Sequence, residues 1–204
     1  MTGLTREAKE TKLAQIARRV ASCEVCTELC QAATNPVPGE GDPEADIMFV
    51  GEAPGAEEDR QGRPFVGASG KFLAEMLESI GLTREQVFIT NIVKYRPPNN
   101  RDPLPQEKTA CKEWLRDEIA LINPQLIIPL GRHALAYFLP DARISEVHGQ
   151  LFVQTFSDFG IRSIVPLYHP AAALYNGSLR ITLKEDFLKI PGIIKSLKET
   201  AGEE

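Results

Sequence analysis

Three short, strongly apolar segments constrain the fold of this chain more than any other feature of its sequence. They are DIMFVG at 46–51, VFITNIV at 87–93 and QLIIPLG at 125–131. Continuous apolar runs of this length are typical of strands covered on both faces, as in a parallel sheet between helices. Further strands are expected at 151–156 and 163–168. We therefore predict a three-layer α/β/α fold with a mostly parallel central sheet of about four strands.

Segments with helical periodicity surround these strands and complete the α/β pattern. An amphipathic helix is expected in the first twenty residues. Later helices are expected at 69–80, 106–122, 132–138 and 183–200. The last one should break at Pro191, because proline removes a backbone donor. Without an internal repeat or linker, the pattern predicts a single domain over 1–204, on which the N-terminal helix and cysteine loop (1–45) pack.

The composition argues against a membrane or secreted protein. The chain has no run of eighteen apolar residues, so we expect no membrane span. Its N-terminal segment carries charges throughout and lacks the apolar stretch of a secretory signal, which predicts a cytoplasmic location. The net charge of −5 provides no general attraction to nucleic acid, so binding to phosphates would depend on a local basic rim.

Polar and aromatic residues with possible catalytic roles follow the ends of three predicted strands. The first strand leads into GEAPGAEEDRQGRPFVG at 51–67, the second reaches Asn91, and YHPAAAL at 168–174 follows the last. In such sheets the functional loops lie beyond the carboxyl ends of the strands, so these segments should meet at one crevice. The first loop lacks the G-x-G-x-x-G spacing and no Walker-type motif occurs, which argues against a nucleotide cofactor.

Three segments of the chain resemble, in order, the signature motifs of family-4 uracil-DNA glycosylases, the iron–sulfur branch of the uracil-DNA glycosylase superfamily. They are GEAPGAEEDRQGRPFVGASGKFL, VFITNIVKYRPPNNRDPLP and YHPAAAL. The resemblance runs from about Cys23 to about Leu174 and covers most of the chain. It implies a monomeric DNA-repair enzyme that acts on single- and double-stranded DNA containing uracil. Such an enzyme hydrolyses the N-glycosidic bond of uracil and leaves an abasic site.

The resemblance implies roles for three residues around the base. Phe65 would form the platform on which the extruded uracil stacks, and Asn91 would bind its edge. The amide of Asn91 offers both a donor and an acceptor, as the O4/N3 edge requires. His169 would donate to uracil O2 and stabilise the leaving base as an anion.

Other residues are expected near the sugar and the DNA strand. By the same resemblance, Glu52, Ala53 and Glu58 would surround the sugar and the attacking water, and Leu174 would be the minor-groove wedge. A buried carboxylate such as Glu58 could position the water or accept its proton. Contacts to phosphate could come from cations of the proline-rich loop, namely Lys94, Arg96 and Arg101.

The four cysteines predict a metal centre, because a cytoplasmic chain favours metal ligation or a buried thiol over disulfides. The resemblance implies a 4Fe–4S cluster bound by Cys23, Cys26 and Cys111. Its remaining ligand in the family is usually a cysteine at the position that Tyr95 occupies here. Cys30 is the candidate replacement. A site with three cysteines, loss of the cluster, and zinc on the same thiolates remain alternatives.

Each candidate residue also has an ordinary structural explanation. Phe65 could be a core aromatic, Asn91 a strand-end cap and His169 a structural histidine. We assign no catalytic role to His133 or His148. The alternative functions are a superfamily member with altered base specificity and a non-catalytic iron–sulfur module that binds DNA.

Overall fold

A computed structural model describes residues 4–22 and 27–202 of the chain. At its centre these residues form a six-stranded sheet. The strands, in chain order, are β1 (Glu40–Gly41), β2 (Ile47–Gly51), β3 (Phe88–Asn91), β4 (Leu126–Pro129), β5 (Phe152–Phe156) and β6 (Gly160–Ile164). The spatial order is β1-β3-β2-β4-β6-β5. The four central strands are parallel, and the outer strands β1 and β5 pair antiparallel at the edges.

Helices cover both faces of this sheet. Within the described residues they are α1 (Arg6–Ser22), α2 (Thr27–Ala32), α3 (Ala56–Gln61), α4 (Ala68–Ser79), α5 (Pro105–Ile122), α6 (Gly131–Phe138), α7 (Ile144–Val147), α8 (Pro170–Leu174) and α9 (Gly177–Gly202). Short 3-10 turns occupy Arg84–Gln86 and Pro98–Asn100. No helix in this part of the chain combines the length and apolar character needed to cross a bilayer.

Two apolar clusters, one on each face, hold the layers together. Along β2, alternate side chains point to opposite faces, so Met48 and Val50 join one cluster while Ile47 and Phe49 join the other. The first cluster includes Ile16, Trp114 and Phe138 from α1, α5 and α6. The second cluster includes Phe72, Ala173 and Phe187 from α4, α8 and α9. The predicted three-layer arrangement and mostly parallel sheet are therefore confirmed.

The C-terminal helix differs from the sequence-based expectation. The predicted break at Pro191 is wrong, because α9 continues through this residue. A proline inside a helix costs about 3 kcal/mol. Leu183, Phe187 and Ile190 are all fully buried on the second cluster. Burial stabilises each such side chain by about 1.5–3 kcal/mol, which together exceeds the cost of the proline.

The register of the sheet brings functional segments to one edge. Gly51, the last residue of β2, lies opposite Asn91, the last residue of β3. On the other side of β2, Val50 lies opposite Pro129 of β4. The chain after β6 follows the same edge, since Leu167 donates its N–H to the Pro129 carbonyl at 2.9 Å. The loops that leave these strands therefore meet at one end of the sheet.

Candidate active site

A cleft of about 320 Å³ opens where the strands end. Most of the residues predicted for the active site contribute to its wall. They are Glu52, Ala53, Glu58, Phe65, Asn91, Arg101 and His169. The structure thus brings together side chains that are more than a hundred positions apart in the sequence.

Phe65 is held in a strained backbone conformation at the floor of the cleft. Its φ of 51° lies in the left-handed region, which costs a bulky residue about 1–3 kcal/mol. Arg84 fixes this conformation by donating to the Phe65 carbonyl at 2.7 Å and the Pro64 carbonyl at 2.8 Å. Gly70 is required beneath it, because a Cβ there would overlap the Phe65 carbonyl. These contacts fix the position of the Phe65 ring, whose centroid lies 5.6 Å from the centroid of the His169 ring.

Glu58 holds the loop that carries Phe65. Its Oε1 accepts the backbone N–H groups of Val66 at 2.9 Å and Gly67 at 2.8 Å. The side chain is buried, and its other carboxylate oxygen faces Gly55, where a Cβ would lie 2.8 Å away. One half of this carboxylate thus stabilises the loop, and the other half lies at the wall of the cleft.

The Asn91 amide oxygen and the Phe65 ring both lie against Gly51. A Cβ at Gly51 would overlap the Asn91 amide oxygen and lie 2.6 Å from Phe65. This oxygen is buried and accepts no hydrogen bond from the part of the chain that the structure describes. An unpaired buried polar atom costs about 1–3 kcal/mol, so this oxygen is available to a donor, water or ligand, that enters the cleft.

A buried ion pair supports Asn91 from behind. Lys94 is fully buried and donates to the Asn91 carbonyl at 2.9 Å and to Glu118 at 2.7 Å. Thr90 completes the group by donating to the same Glu118 oxygen at 2.8 Å. The prediction that Lys94 could contact phosphate is therefore wrong. Its charge is paired with Glu118 inside the protein, and its bond to the Asn91 carbonyl fixes the end of β3.

His169 caps helix α8 and presents a neutral ring to the cleft. Its Nδ1 accepts the Ala171 N–H at 3.1 Å, so the ring proton lies on Nε2. Burial lowers the pKa of His169 from 6.5 to about 4, and Glu58 opposes this shift. At neutral pH the side chain is therefore an uncharged donor.

Glu52 is a partly exposed carboxylate at the wall of the cleft. It lies just after β2, and 28% of its side chain is exposed. Burial raises the pKa of Glu52, the His133 ring lowers it and Asp102 raises it. The distance from Glu52 Oε2 to His133 Nε2 is 3.8 Å. A carboxylate with a raised pKa is suited to accept a proton.

Of the residues predicted to contact DNA, Arg101 lines the cleft, and Arg96 bonds Asn100, which lines it as well. Arg101 forms a bidentate pair with Glu107 at 2.8 and 2.6 Å, and Arg96 donates to Asn100 at 2.7 Å. Leu174 is half-buried and packs against the second cluster. The next residue, Tyr175, is 93% exposed at the end of α8. Sequence reasoning did not single out this tyrosine.

Two of the four predicted metal ligands lie among the residues that the structure describes. Cys23 and Cys26 lie outside the described residues. Cys111 is buried in the first cluster, and Cys30 packs against the same cluster. Tyr95 is buried in this cluster as well, and its hydroxyl donates to the Val20 carbonyl near the end of α1. The centroids of the Tyr95 and Trp114 rings are 6.2 Å apart. Tyr95 therefore ties the proline-rich loop to the N-terminal helix.

The sequence did not reveal the site contacts of two residues. Arg84 acts on the Phe65 backbone from a distant 3-10 turn, and His133 reaches Glu52 from the start of α6. No local sequence pattern links either residue to its partner, so only the packing of the elements reveals the contact.

Together, an aromatic ring, an amide with an unpaired oxygen and a neutral imidazole donor form a site suited to a flat, uncharged base with hydrogen-bonding edges. Comparison with known proteins agrees with this geometry. The model of the uracil DNA glycosylase superfamily matches residues 38–190.

Curated relatives narrow the assignment. The chain is 52% identical to a type-4 uracil-DNA glycosylase of Sulfurisphaera tokodaii, over 87% of this chain and 83% of that protein. It is 46% identical to the type-4 enzyme of Archaeoglobus fulgidus, over 87% and 91% respectively. The type-4 enzyme of Thermotoga maritima is 41% identical, over 92% and 97%. The chain therefore belongs to the uracil DNA glycosylase superfamily and, within it, to the type-4 uracil-DNA glycosylases.

Proposed function

We propose that this protein excises uracil from DNA by hydrolysing the bond between uracil N1 and the deoxyribose C1′. The observation that carries the proposal is the buried, unpaired amide oxygen of Asn91, which lies beside the Phe65 ring. A uracil that leaves the duplex and stacks on Phe65 would offer its N3–H to this oxygen and its O4 to the amide nitrogen. Cytosine has an acceptor at N3 and a donor at C4, so it would pair poorly.

His169 supports the departure of the base. As the bond to C1′ breaks, its electron pair moves onto uracil and creates an anion. The Nε2–H of His169 would donate to uracil O2, where part of this charge collects. Because the ring is neutral at the working pH, it stabilises the anion as a fixed donor without first losing a proton.

Glu52 would act on the opposite charge and on the water. The sugar gains positive character as the base leaves, and a carboxylate at the cleft wall stabilises it. Glu52 would accept a proton from the water that adds to C1′, and this proton finally reaches uracil. Glu58 would keep the Phe65 loop in place and line the cleft with its second oxygen.

The direct test is an excision assay on synthetic DNA. Purified protein is incubated with single- and double-stranded oligonucleotides that contain one uracil, and alkali then cuts any abasic site. We expect cleavage at uracil and none at thymine in the same sequence. No cleavage of either uracil substrate would refute the proposal. Cleavage only at hypoxanthine or xanthine would instead favour a member with altered base specificity, and DNA binding without any cleavage would favour a non-catalytic module.

We propose that the tip of α8 fills the space that the extruded base leaves. Leu174 is the wedge that the family resemblance implies, but it is half-buried, whereas Tyr175 is 93% exposed. We expect Tyr175→Ala to reduce activity on duplex DNA about tenfold more than on single strands, because unstacking is needed only in the duplex. Leu174→Ala tests the alternative wedge directly. Leu188→Ala, which removes a side chain 63% exposed on α9, is the control. Equal losses of Tyr175→Ala on both substrates would contradict the assignment.

Arg96 is proposed as a phosphate contact of the proline-rich loop, while Arg101 is already paired with Glu107. Loss of one phosphate contact should lower the salt dependence of DNA binding by about one unit of slope. An Arg96→Ala variant with an unchanged salt dependence would remove Arg96 from the interface.

We also propose a monomer in the cytoplasm without a nucleotide cofactor. A sedimentation experiment that showed a dimer would contradict the monomer.

A 4Fe–4S cluster is proposed near the N-terminal helix, bound by Cys23, Cys26, Cys30 and Cys111. The donors suit it, since soft thiolates bind iron–sulfur clusters. The described pair also fits, because Cys30 and Cys111 belong to one apolar cluster. When bound, the group would supply a cross-link between the N-terminal segment and α5. Tyr95 would complement it by fixing the proline-rich loop to the end of α1.

The fourth ligand can be tested by moving the thiol. Protein purified without oxygen should be brown, with absorbance near about 400 nm. We expect Cys30→Ala to lose most of its iron, and the double variant Cys30→Ala/Tyr95→Cys to regain it, because Tyr95 lies in the same apolar cluster as Cys111. Iron and zinc are measured per chain, with circular dichroism as the check on folding. Full iron in Cys30→Ala would exclude Cys30 as a ligand, and a colourless zinc protein would overturn the iron assignment.

A further inference from the structure

Arginines on and beside the proline-rich loop, which joins β3 to α5, differ in their partners. Arg101 lines the cleft and forms the bidentate pair with Glu107. Arg132, at the start of α6, donates to Asp102 of the loop at 2.8 Å. Each of these two guanidinium groups therefore already has a carboxylate partner, which would compete with a phosphate for its N–H groups.

Arg96, on the same loop, is bonded differently. Its Nε donates to the side-chain oxygen of Asn100 at 2.7 Å, so its partner is a neutral amide. Within residues 4–22 and 27–202, no carboxylate lies within ion-pair distance of Arg96, and its two Nη groups have no acceptor. Two parallel N–H groups of this kind match two oxygens of one phosphate. The charged end of Arg96 is thus open to an anion.

The backbone beside this amide has an unusual conformation. Asn99 and Asn100 have φ angles of 57° and 54°, both in the left-handed region, which asparagine adopts more readily than most residues with a Cβ. The turn is closed by the N–H of Asn100, which donates to the Pro97 carbonyl at 3.1 Å. Glycine would satisfy this backbone at both positions. The side chain at position 100 therefore calls for a separate explanation.

The bond between Arg96 and Asn100 contributes little to the stability of the fold. It is exposed, so water competes for both of its groups. Asn100 also lines the cleft, which places the bond beside the substrate and away from the core. A long side chain that is held before binding loses fewer rotamers when its ligand arrives. The bond is therefore suited to aim the guanidinium of Arg96.

We propose that Asn100 is a positioning residue that holds Arg96 ready to bind a phosphate of the uracil-containing strand. The Nε–H of Arg96 stays on the Asn100 oxygen, and the two Nη groups donate to oxygens of one phosphate beside the cleft. Because the chain has a net charge of −5, its attraction to DNA depends on local cations such as this one. The inference rests on the proposed function, in which Arg96 contacts phosphate, and adds the residue that aims it.

The test is a double-mutant cycle on DNA binding. The probe is a duplex with a tetrahydrofuran in place of the uracil nucleotide, which cannot be hydrolysed, and fluorescence anisotropy gives Kd. Asn100→Gly removes the amide and keeps the left-handed backbone accessible. We expect it to raise Kd about 2- to 10-fold in the otherwise unchanged protein, because Arg96 must then be ordered during binding. In an Arg96→Ala background we expect a change of less than about twofold, because Asn100 acts through Arg96.

Two further variants make the cycle specific. Asn99→Gly is the matched control, since it makes the same change at the neighbouring left-handed residue, whose side chain bonds to nothing in the described part of the chain. It should leave Kd within about twofold of the wild-type value. Asn100→Asp places a carboxylate against Arg96 and neutralises its charge. It should therefore lower the salt dependence of Kd by about one unit of slope, whereas Asn100→Gly should retain the wild-type slope.

An equal rise in Kd for Asn100→Gly in both backgrounds would overturn the inference, because the amide would then act on the loop or on the DNA directly. An unchanged Kd in Asn100→Gly, or an unchanged slope in Asn100→Asp, would overturn it as well. Thermal unfolding verifies the fold of each variant, and both asparagines are exposed and should tolerate replacement. Wild-type protein that binds the probe without excising uracil would refute the proposed activity, while the cycle would still decide the role of Asn100.

Discussion

Replacement of His169 by alanine should lower kcat by about 100- to 1,000-fold, the usual cost of removing one donor that stabilises an anion in the transition state. The donor is fixed before the reaction begins. The Ala171 N–H donates to His169 Nδ1 at 3.1 Å, and the centroids of the His169 and Phe65 rings are 5.6 Å apart. Because the charge on uracil O2 develops only as the bond breaks, we expect a much smaller change in KM. Single-turnover rates on a uracil oligonucleotide measure this effect.

Two variants make the His169 experiment specific. His169→Gln retains a neutral donor and should recover part of the rate. His148→Ala removes a histidine that pairs with Asp186 away from the cleft, and it should keep most of its activity. Near-normal turnover in His169→Ala would show that the base leaves without help from this side chain.

The low pKa of His169 has a consequence for stability. In the unfolded chain the imidazole titrates near 6.5, and in the folded protein near 4 because burial disfavours its charged form. Between these values the unfolded state binds more protons. The contribution of this residue to stability is therefore complete above about pH 6.5 and is lost as the pH falls toward 4. At neutral pH the His169 ring stays uncharged.

Much of the site was predictable because parallel strands end at a common edge. Asn91 is the last residue of β3 and Gly51 the last residue of β2, so two apolar runs of sequence were enough to predict that the two residues lie side by side. Lys94 shows the limit of this approach. Three positions beyond Asn91, in a loop rich in prolines and cations, it resembled a phosphate contact. Its actual partner, Glu118, lies on a helix whose packing no local pattern encodes.

The same limit applies to the elements of the fold. The central strands were predictable from their apolar runs, but the short helix α3 was expected to be loop, since its AEEDRQ sequence has little apolar character. This helix forms because Glu58 is drawn inward to the Val66 and Gly67 amides. Pro191 was expected to break α9, yet burial of that helix on the second cluster outweighs the local preference. Tertiary contacts decide such cases, and they are invisible in a single segment.

Asn91→Ala should reduce kcat/KM on uracil DNA by at least about 30-fold. The variant removes two hydrogen bonds to the base edge and leaves the uracil N3–H and O4 buried without partners, at about 1–3 kcal/mol for each group. Because these bonds hold the base before cleavage and strengthen as negative charge spreads onto uracil O4, the loss should be shared between KM and kcat. Lys94 donates to the backbone carbonyl of residue 91 at 2.9 Å. Because this bond does not involve the side chain, the backbone at Asn91 should keep its position after the substitution.

Asn91→Asp provides the matched test, because it keeps the size of the side chain and exchanges a donor for an acceptor. An ionised carboxylate would face uracil O4 with like partial charge, so this variant should bind uracil no better than Asn91→Ala. Binding is measured separately from excision, through inhibition by free uracil and protection against thermal unfolding by uracil. Both should be lost with Asn91→Ala and Asn91→Asp while the unfolding temperature without uracil changes little. If either variant excised uracil at the wild-type rate, recognition of the base would have to come from a group other than the unpaired amide of Asn91.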